Sequence, residues 1–311
     1  MARLPISNSA SDSAAPDGGA PLVAGITASG TSNVPAPKPR LRRGIGRRIV
    51  GSSRFRGVLL PIAVLLGWQL ITMSHVVQSA FLPSPAEVFS GWGTWAFGPT
   101  SQISWTSGTF FSFCLLSAQR VYLGFAIGAS FGLFLGIMIG WYRLASDLFD
   151  PFIQALRPIP MTAWLPFATL LFGIQEPAAV FVIAMGCFFP VVLNTAAGAR
   201  QTPQLLVRAA LMLGTRPHRL LLRVVIPASL PSIVTGLRLG LGIAWVLVIV
   251  AEILAVRGGL GFAIWGAYEY LRMDLILASI ITLGILGWAS DQVLVNIARR
   301  FLHWQRGLVR Q

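Results

Sequence analysis

Arg208-Ala209-Ala210, three residues, Gly214, nine residues, then Val224-Val225-Ile226-Pro227: the reading of this chain turns on that stretch. It is a charged, helix-prone loop between long apolar segments. Five arginines fall in it: Arg200, Arg208, Arg216, Arg219 and Arg223. A chain built for lipid gains nothing from so many cations in one loop unless the loop stays in the cytosol. Ala209 and Ala210 are small enough for close helix contact. Gly214 can supply a turn between two short helices, and Pro227 can start the chain toward the next apolar segment. The spacing predicts a pair of short helices at an angle, parallel to the membrane and available to another protein.

Outward from that loop the chain is membrane material. It is 55% hydrophobic and 11% charged over 311 residues, with a mean hydropathy of +0.71; soluble chains carry about a quarter charged residues. The net charge of +14 does not point to nucleic acid, because the basic residues sit at the ends of apolar segments, where they set orientation. Cys114 and Cys187 have no metal-ligand spacing and read as apolar thiols. Residues 1–37 are rich in Ser, Ala, Gly and Pro and lack the apolar core of a signal peptide. With the basic cluster Lys38, Arg40, Arg42, Arg43, Arg47 and Arg48 that follows, residues 1–50 read as a disordered, basic, cytosolic segment. Residues 57–308 read as the membrane domain.

A hydrocarbon core of about 30 Å needs roughly 20 apolar residues in a helix. Six spans are expected: Gly57–Met73, Val121–Tyr142, Met161–Phe172, Pro177–Ala197, Ser232–Val256 and Leu275–Ser290. The third is short, carries Pro166 and follows Pro158 and Pro160, so a tilt, kink or break is expected there. With both termini inside, the inner segments hold nine Lys and Arg before Gly57, two in 143–160, five in 199–230 and four after Asp291. The outer segments hold only Arg257 and Arg272. The outer loop Ser74–Ser117 carries Trp92, Trp95 and Trp105, which predict a segment lying at the headgroup level. The stretch Asp291–Arg310, with Trp304 as an interfacial anchor, reads as a helix leaving the membrane onto the inner surface.

Within the second span, Gly124, Gly128, Gly132, Gly136 and Gly140 recur every four residues. They form a slowly winding groove that admits a neighbouring backbone. Arg238 and Glu252 lie inside the fifth span, where a charge is a functional hypothesis by default. At 14 residues apart, roughly 21 Å along a helix, they cannot pair with each other. Each lies near a span end, Arg238 toward the cytosol and Glu252 toward the outside. With Trp245 between them they form the candidate translocation path or gate. Glu252 and the turn Arg257-Gly258-Gly259-Leu260-Gly261 suggest a gate or docking surface over a catalytic acid. A phosphate-cradling loop requires Gly-x4-Gly-Lys-Ser/Thr, and the only lysine is Lys38 in Pro-Lys-Pro. The chain therefore reads as a transport subunit without its own ATPase site, and no catalytic or metal-ligating residues are assigned. A secondary transporter is the alternative, although only Arg238 and Glu252 are available as intramembrane relays and no internal repeat is evident.

The chain resembles the membrane subunit of ABC importers of the nitrate/sulfonate/taurine branch over about four-fifths of its length. The matching stretches are Leu82-Pro83-Ser84-Pro85, Arg120 through Gly140, Leu156-Arg157-Pro158-Ile159-Pro160, Ala163-Trp164-Leu165-Pro166, Phe172-Gly173-Ile174, Pro190 to Asn194 and Ala209 to Gly261. The loop is similar to the "EAA" loop of that family, except that its acidic first position is Arg208 here. The resemblance implies an all-α, polytopic inner-membrane permease of the type I importer kind, with Arg208, Ala209, Ala210, Gly214 and Pro227 in the ATPase-coupling loop. It implies two copies of a cytosolic ABC ATPase, which uses the ATP, a periplasmic solute-binding protein and a second permease copy in a homodimer. No cofactor is implied for this chain. The solute it implies is a small anion, aliphatic sulfonate or taurine ahead of nitrate, with neutral or heterocyclic compounds as the alternative.

Overall fold

The computed structural model describes residues 53–74, 82–98 and 108–301, and among them all regular structure is helical. The chain divides into two compact units, Met1–Ser53 and Arg54–Gln311, and the description concerns the second. The expectations for residues 1–50, Trp105, the end of the Asp291–Arg310 segment and its anchor Trp304 lie outside the described residues. The helices are α1 (Ser53–Met73), α2 (Pro85–Phe97), α3 (Phe110–Trp141), α4 (Arg143–Leu156), α5 (Trp164–Phe172) and α6 (Glu176–Arg200). They continue with α7 (Gln204–Met212), α8 (Pro217–Leu220), α9 (Ile226–Leu254), α10 (Leu260–Glu269) and α11 (Met273–Phe301).

The glycine groove of α3 is filled by α6 in a fixed register. A Cβ on Gly124 would meet Ile183 Cγ2 at 2.5 Å, one on Gly132 would meet Val191 Cβ at 2.9 Å, and one on Gly136 would meet Thr195 Cβ at 2.6 Å. Gly128 lies against Ala184 and Cys187, and Gly140 against Ala199. Numbers rise together on both helices, so α3 and α6 run parallel. In lipid, where no hydrophobic force drives helices together, close backbone approach is what such packing gains. α9 then runs antiparallel to α6: Gly198 meets Ser232, Gly236 meets Asn194, and Gly186 meets Leu247. α6 is the axis of the bundle, since 61% of its most apolar window is buried against 33% for α3 and for α11.

Parallel packing of α3 and α6 forces the chain to return between residues 141 and 176. It does so through α4 and then through a 3-10 turn, Met161–Ala163, leading into the nine-residue α5. The last two together cover about 20 Å, short of a full hydrocarbon core. The expected third span is therefore a short return element, interrupted by Pro158 and Pro160 before it and closed by Gly173 (φ +81) after it. Among the described residues, four helical stretches are long and apolar enough to cross a membrane: Phe110–Trp141, Glu176–Arg200, Pro217–Leu254 and Met273–Arg300. α1, with 21 residues, is about 32 Å long.

Two boundaries and one assignment differ from the sequence reading. The second span starts at Phe110 rather than Val121, because Phe110 and Phe113 continue its apolar surface. The fifth does not start at Ser232. Helical backbone runs from Pro217 to Leu254 through a π turn at Leu221–Val225. That wider turn precedes Pro227, whose ring crowds the carbonyl of the preceding turn. Trp92 and Trp95 are not headgroup anchors. Trp95 is buried, its ring 5.0 Å edge-on to Phe110 and its Nε1 donating to Thr109 Oγ1 at 3.2 Å, and Trp92 meets Phe110 at 5.6 Å. They pin α2 to the start of α3. Leu82-Pro83-Ser84-Pro85 is the cap of α2: Ser84 Oγ accepts from the Glu87 amide, and Glu87 Oε2 accepts from the Ser84 amide at 2.7 Å.

Candidate functional site: a loop of two short helices and two charge clusters

The loop between α6 and α9 folds into the short helix α7 and then, past a turn, into α8. The latter runs on without a break through the π turn into α9, so that only the first of the two expected short helices stands alone. α7 ends in a paired hydrogen-bond closure: the Thr215 amide donates to Ala210 O at 3.1 Å and the Gly214 amide to Leu211 O at 2.9 Å. That closure needs a left-handed residue at position 214, and Gly214 has φ +73. No atom lies within 4 Å of where its Cβ would be, so the requirement is conformational and not steric. α7 buries none of its residues. Arg208 and Ala209 are exposed and Ala210 is half-buried. At the tip, Met212 is 88% and Leu213 85% exposed, beside exposed Leu205 and Leu211. Arg208, Arg216 and Arg219, within a few residues of it in the chain, are exposed as well. The root is firm: Leu220 and Val225 are buried, and Arg200 pairs with Asp150 and donates to Ser146 Oγ at 2.9 Å, tying α4 to the end of α6. A rigidly rooted, amphipathic two-helix projection can transmit a push or pull.

The other candidates separate into two clusters. Arg238 makes a bidentate pair with Asp291 of α11, Nε to Oδ1 and Nη2 to Oδ2, both at 2.8 Å. Since α9 begins at Ile226, Arg238 lies well inside its helix and does not reach a span end. Trp245 is buried next to this pair, its Nε1 donating to Ser290 Oγ at 3.3 Å, with Tyr122 OH 2.8 Å from the same oxygen. Asp291 was missed in the sequence because it falls just past the expected span end at Ser290, whereas α11 runs on to Phe301.

Glu252 lies at the opposite end of the bundle from α7, fully buried. Its Oε1 accepts from Ser117 Oγ and Arg120 Nη1, each at 2.7 Å, and its Oε2 from the Gly261 amide at 2.8 Å. Arg120 Nη1 also donates to Gly258 O at 2.7 Å, while its Nε and Nη2 grip Glu176 at 2.5 and 2.6 Å. Ser117 Oγ in turn accepts from the Leu260 amide at 2.9 Å. Gly259 (φ +110) carries its backbone directly over the Glu252 carboxylate, where a Cβ would overlap it. One guanidinium thus joins α3, α6, α9 and the 257–261 turn. Arg120 makes four hydrogen bonds and the buried Glu252 carboxylate accepts three, which makes the cluster an internal anchor and does not present Glu252 as a catalytic acid. A cleft of about 470 Å³ lined by Gln175, Glu176, Val256 and Arg257 opens beside it. Arg120 carried a signal in the sequence, a lone cation in an apolar helix, but its partners are 56 and 132 residues away.

Closely packed apolar helices with charges locked in pairs and a helical loop projecting from one end define a membrane permease subunit. Residues 130–303 match the family described as "Binding-protein-dependent transport system inner membrane component". The chain belongs to that family, the membrane subunits of ABC importers. It is 33% identical over 262 residues to the putative aliphatic sulfonates transport permease protein SsuC of Bacillus subtilis, covering 83% of this chain and 92% of the relative. It is 35% identical over 281 residues to the bicarbonate transport system permease protein CmpB of Synechococcus elongatus, covering 85% and 96%. Among solved structures it shares its fold with the MetNI methionine ABC transporter in inward-facing conformations. The TM-score is 0.53 at 18% identity, over 62% of this chain and 95% of that one. The type I importer fold and the inner-membrane setting expected from the sequence follow from these matches.

Proposed function

We propose that this chain is the permease of an importer for a small oxyanion, with an aliphatic sulfonate such as taurine ahead of nitrate, driven by a separate ABC ATPase. The observation that carries the reading is the exposed α7–α8 projection, its apolar tip held at a fixed angle by Gly214. An exposed apolar tip is costly to leave in water and suits a cleft on another protein. In this reading the projection and both termini face the cytosol, in line with the placement of arginines. ATP binding closes two ATPases, the paired projections of a homodimer move together, and an outward cavity accepts solute from a periplasmic binding protein. ATP is consumed on the ATPase, and the chain itself binds no cofactor. Relatives named for aliphatic sulfonates and for bicarbonate support a small anion; the second favours a hydrated inorganic anion as the competing solute.

Two measurements test the reading. A Met212→Cys variant is expected to form a disulfide with a cysteine placed in the ATPase cleft, in inverted vesicles, under mild oxidation. No cross-link at any cleft position would count against docking. Calorimetry on the cognate binding protein is expected to show heat with taurine or an alkanesulfonate and none with a neutral heterocycle. The reverse pattern would remove the anion assignment.

A further inference from the structure

The Arg238–Asp291 pair sits at a depth where charges are heavily penalised. Arg238 is about 18 Å along α9 from Ile226 and about 24 Å from Leu254. Asp291 is about 27 Å along α11 from Met273. Packing places the pair at the same level, because Gly236 and Gly240, which bracket Arg238, lie against Asn194, Val191 and Cys187 in the middle of α6. Yet the side chains are 50% and 29% exposed. An open ion pair at mid-membrane does not face hydrocarbon.

A dry protein contact does not suit this face either. Arg238 donates to Asp291 through Nε and Nη2, and its Nη1 edge has no partner among the described residues. Covering that edge with apolar surface would orphan its donors. Small, open positions flank the pair: exposed Thr235 and Gly242 share the Arg238 stripe of α9, and Gly284, one turn beyond the exposed Trp288, lies on the Asp291 stripe of α11. A Cβ on either glycine would meet nothing within 4 Å. Water, or a solute that replaces water, is what such a surface takes.

We propose that this face of α9 and α11 is a wetted wall of the solute path, and that the free Nη1 edge of Arg238 is a transient contact for the passing oxyanion. A guanidinium edge matches two oxygens of a sulfonate, carboxylate or bicarbonate. Asp291 holds the cation in place and offsets its charge, so the anion is passed on and not trapped, as conduction requires. The inference rests on the permease reading and adds to it the residue that meets the solute.

The test uses the full chain assembled with its ATPase and binding protein, with Cys114 and Cys187 replaced by Ala and Gly242→Cys introduced. The probes are two membrane-impermeant methanethiosulfonates of similar size, one anionic (sulfonatoethyl) and one cationic (trimethylammonioethyl). Their rates are each divided by the rate with a free thiol in solution. The anionic probe is expected to be favoured about tenfold. Arg238→Gln should abolish that preference, and Asp291→Asn should increase it. If Gly242→Cys does not assemble, Gly284→Cys reads the same wall. No reaction with either probe would mean that lipid or a second copy covers the face, and equal rates would remove the anion contact; either overturns the inference. ATP-driven uptake by the parent chain tests the permease reading separately, so uptake with an unreactive cysteine would sink this inference alone.

Discussion

At Arg120, four parts of the chain meet through one guanidinium, and the cost of removing it follows from what it leaves behind. Arg120→Leu strands the Glu252 carboxylate in a fully buried position; an unpaired buried charge costs about 3–5 kcal/mol. We expect a large drop in thermal unfolding temperature in detergent. The double variant Arg120→Leu with Glu252→Gln should recover much of it, because Gln keeps an acceptor for the Gly261 amide and Glu176 is 55% exposed and can hydrate. Additive losses in that cycle would show that the two residues do not form a unit. Gly214 poses the opposite case, with room but a forbidden backbone. Gly214→Val forces a β-branched residue to φ +73, where even an ordinary side chain costs about 1–2 kcal/mol. Uptake should fall at least tenfold with normal membrane abundance, whereas Gly214→Asn should retain part of it. Equal uptake by the Val variant would contradict the need for a fixed turn. The turn was legible at the residue scale because glycine, spacing and flanking helix formers all agreed. The anchor was only half legible: Glu252 stood out as a charge in lipid, while its partners Arg120 and Glu176 come from helices that only the fold brings together.

At the scale of elements, the α3–α6 seam sets the geometry on which everything else hangs. Periodicity alone gave the groove, since glycines every four residues have one structural use in a span. It could not say which helix fills the groove or in which direction, because a small-residue stripe accepts either polarity. The parallel answer explains why the chain must turn back through α4 and α5, and so why Pro158, Pro160 and Pro166 crowd one short stretch. Gly132→Leu should wedge the seam, since even a Cβ would lie 2.9 Å from Val191 Cβ; overpacking typically costs about 1–3 kcal/mol. The control is Gly67→Leu on α1, with nothing within 4 Å. Thermal melts in detergent should separate the two clearly, and equal melting temperatures would contradict the seam. α2 was misread for a physical reason: tryptophan marks both headgroup layers and buried corners. Deciding between them required Phe110, which the sequence reading had left in the preceding loop.

For the whole molecule, the placement of charge and the placement of motion fit one scheme. Buried anchors hold the end opposite α7, an open ion pair lines the middle, and a rigidly rooted projection stands at the other end. The projection follows directly on α6, whose Arg200 ties to α4 and whose Glu176 ties to Arg120. The family was legible from the sequence because loop spacing and several proline and glycine motifs occur in one order. The solute was not, because relatives of similar identity are named for different anions, an aliphatic sulfonate in one and bicarbonate in another. The most direct measurement is ATP-driven uptake of radiolabelled taurine into proteoliposomes that contain binding protein and this chain, with and without the ATPase. The account predicts accumulation that appears only when the ATPase is present and is lost in the Gly214→Val variant. Accumulation by the chain without the ATPase, or undiminished accumulation by that variant, would contradict it.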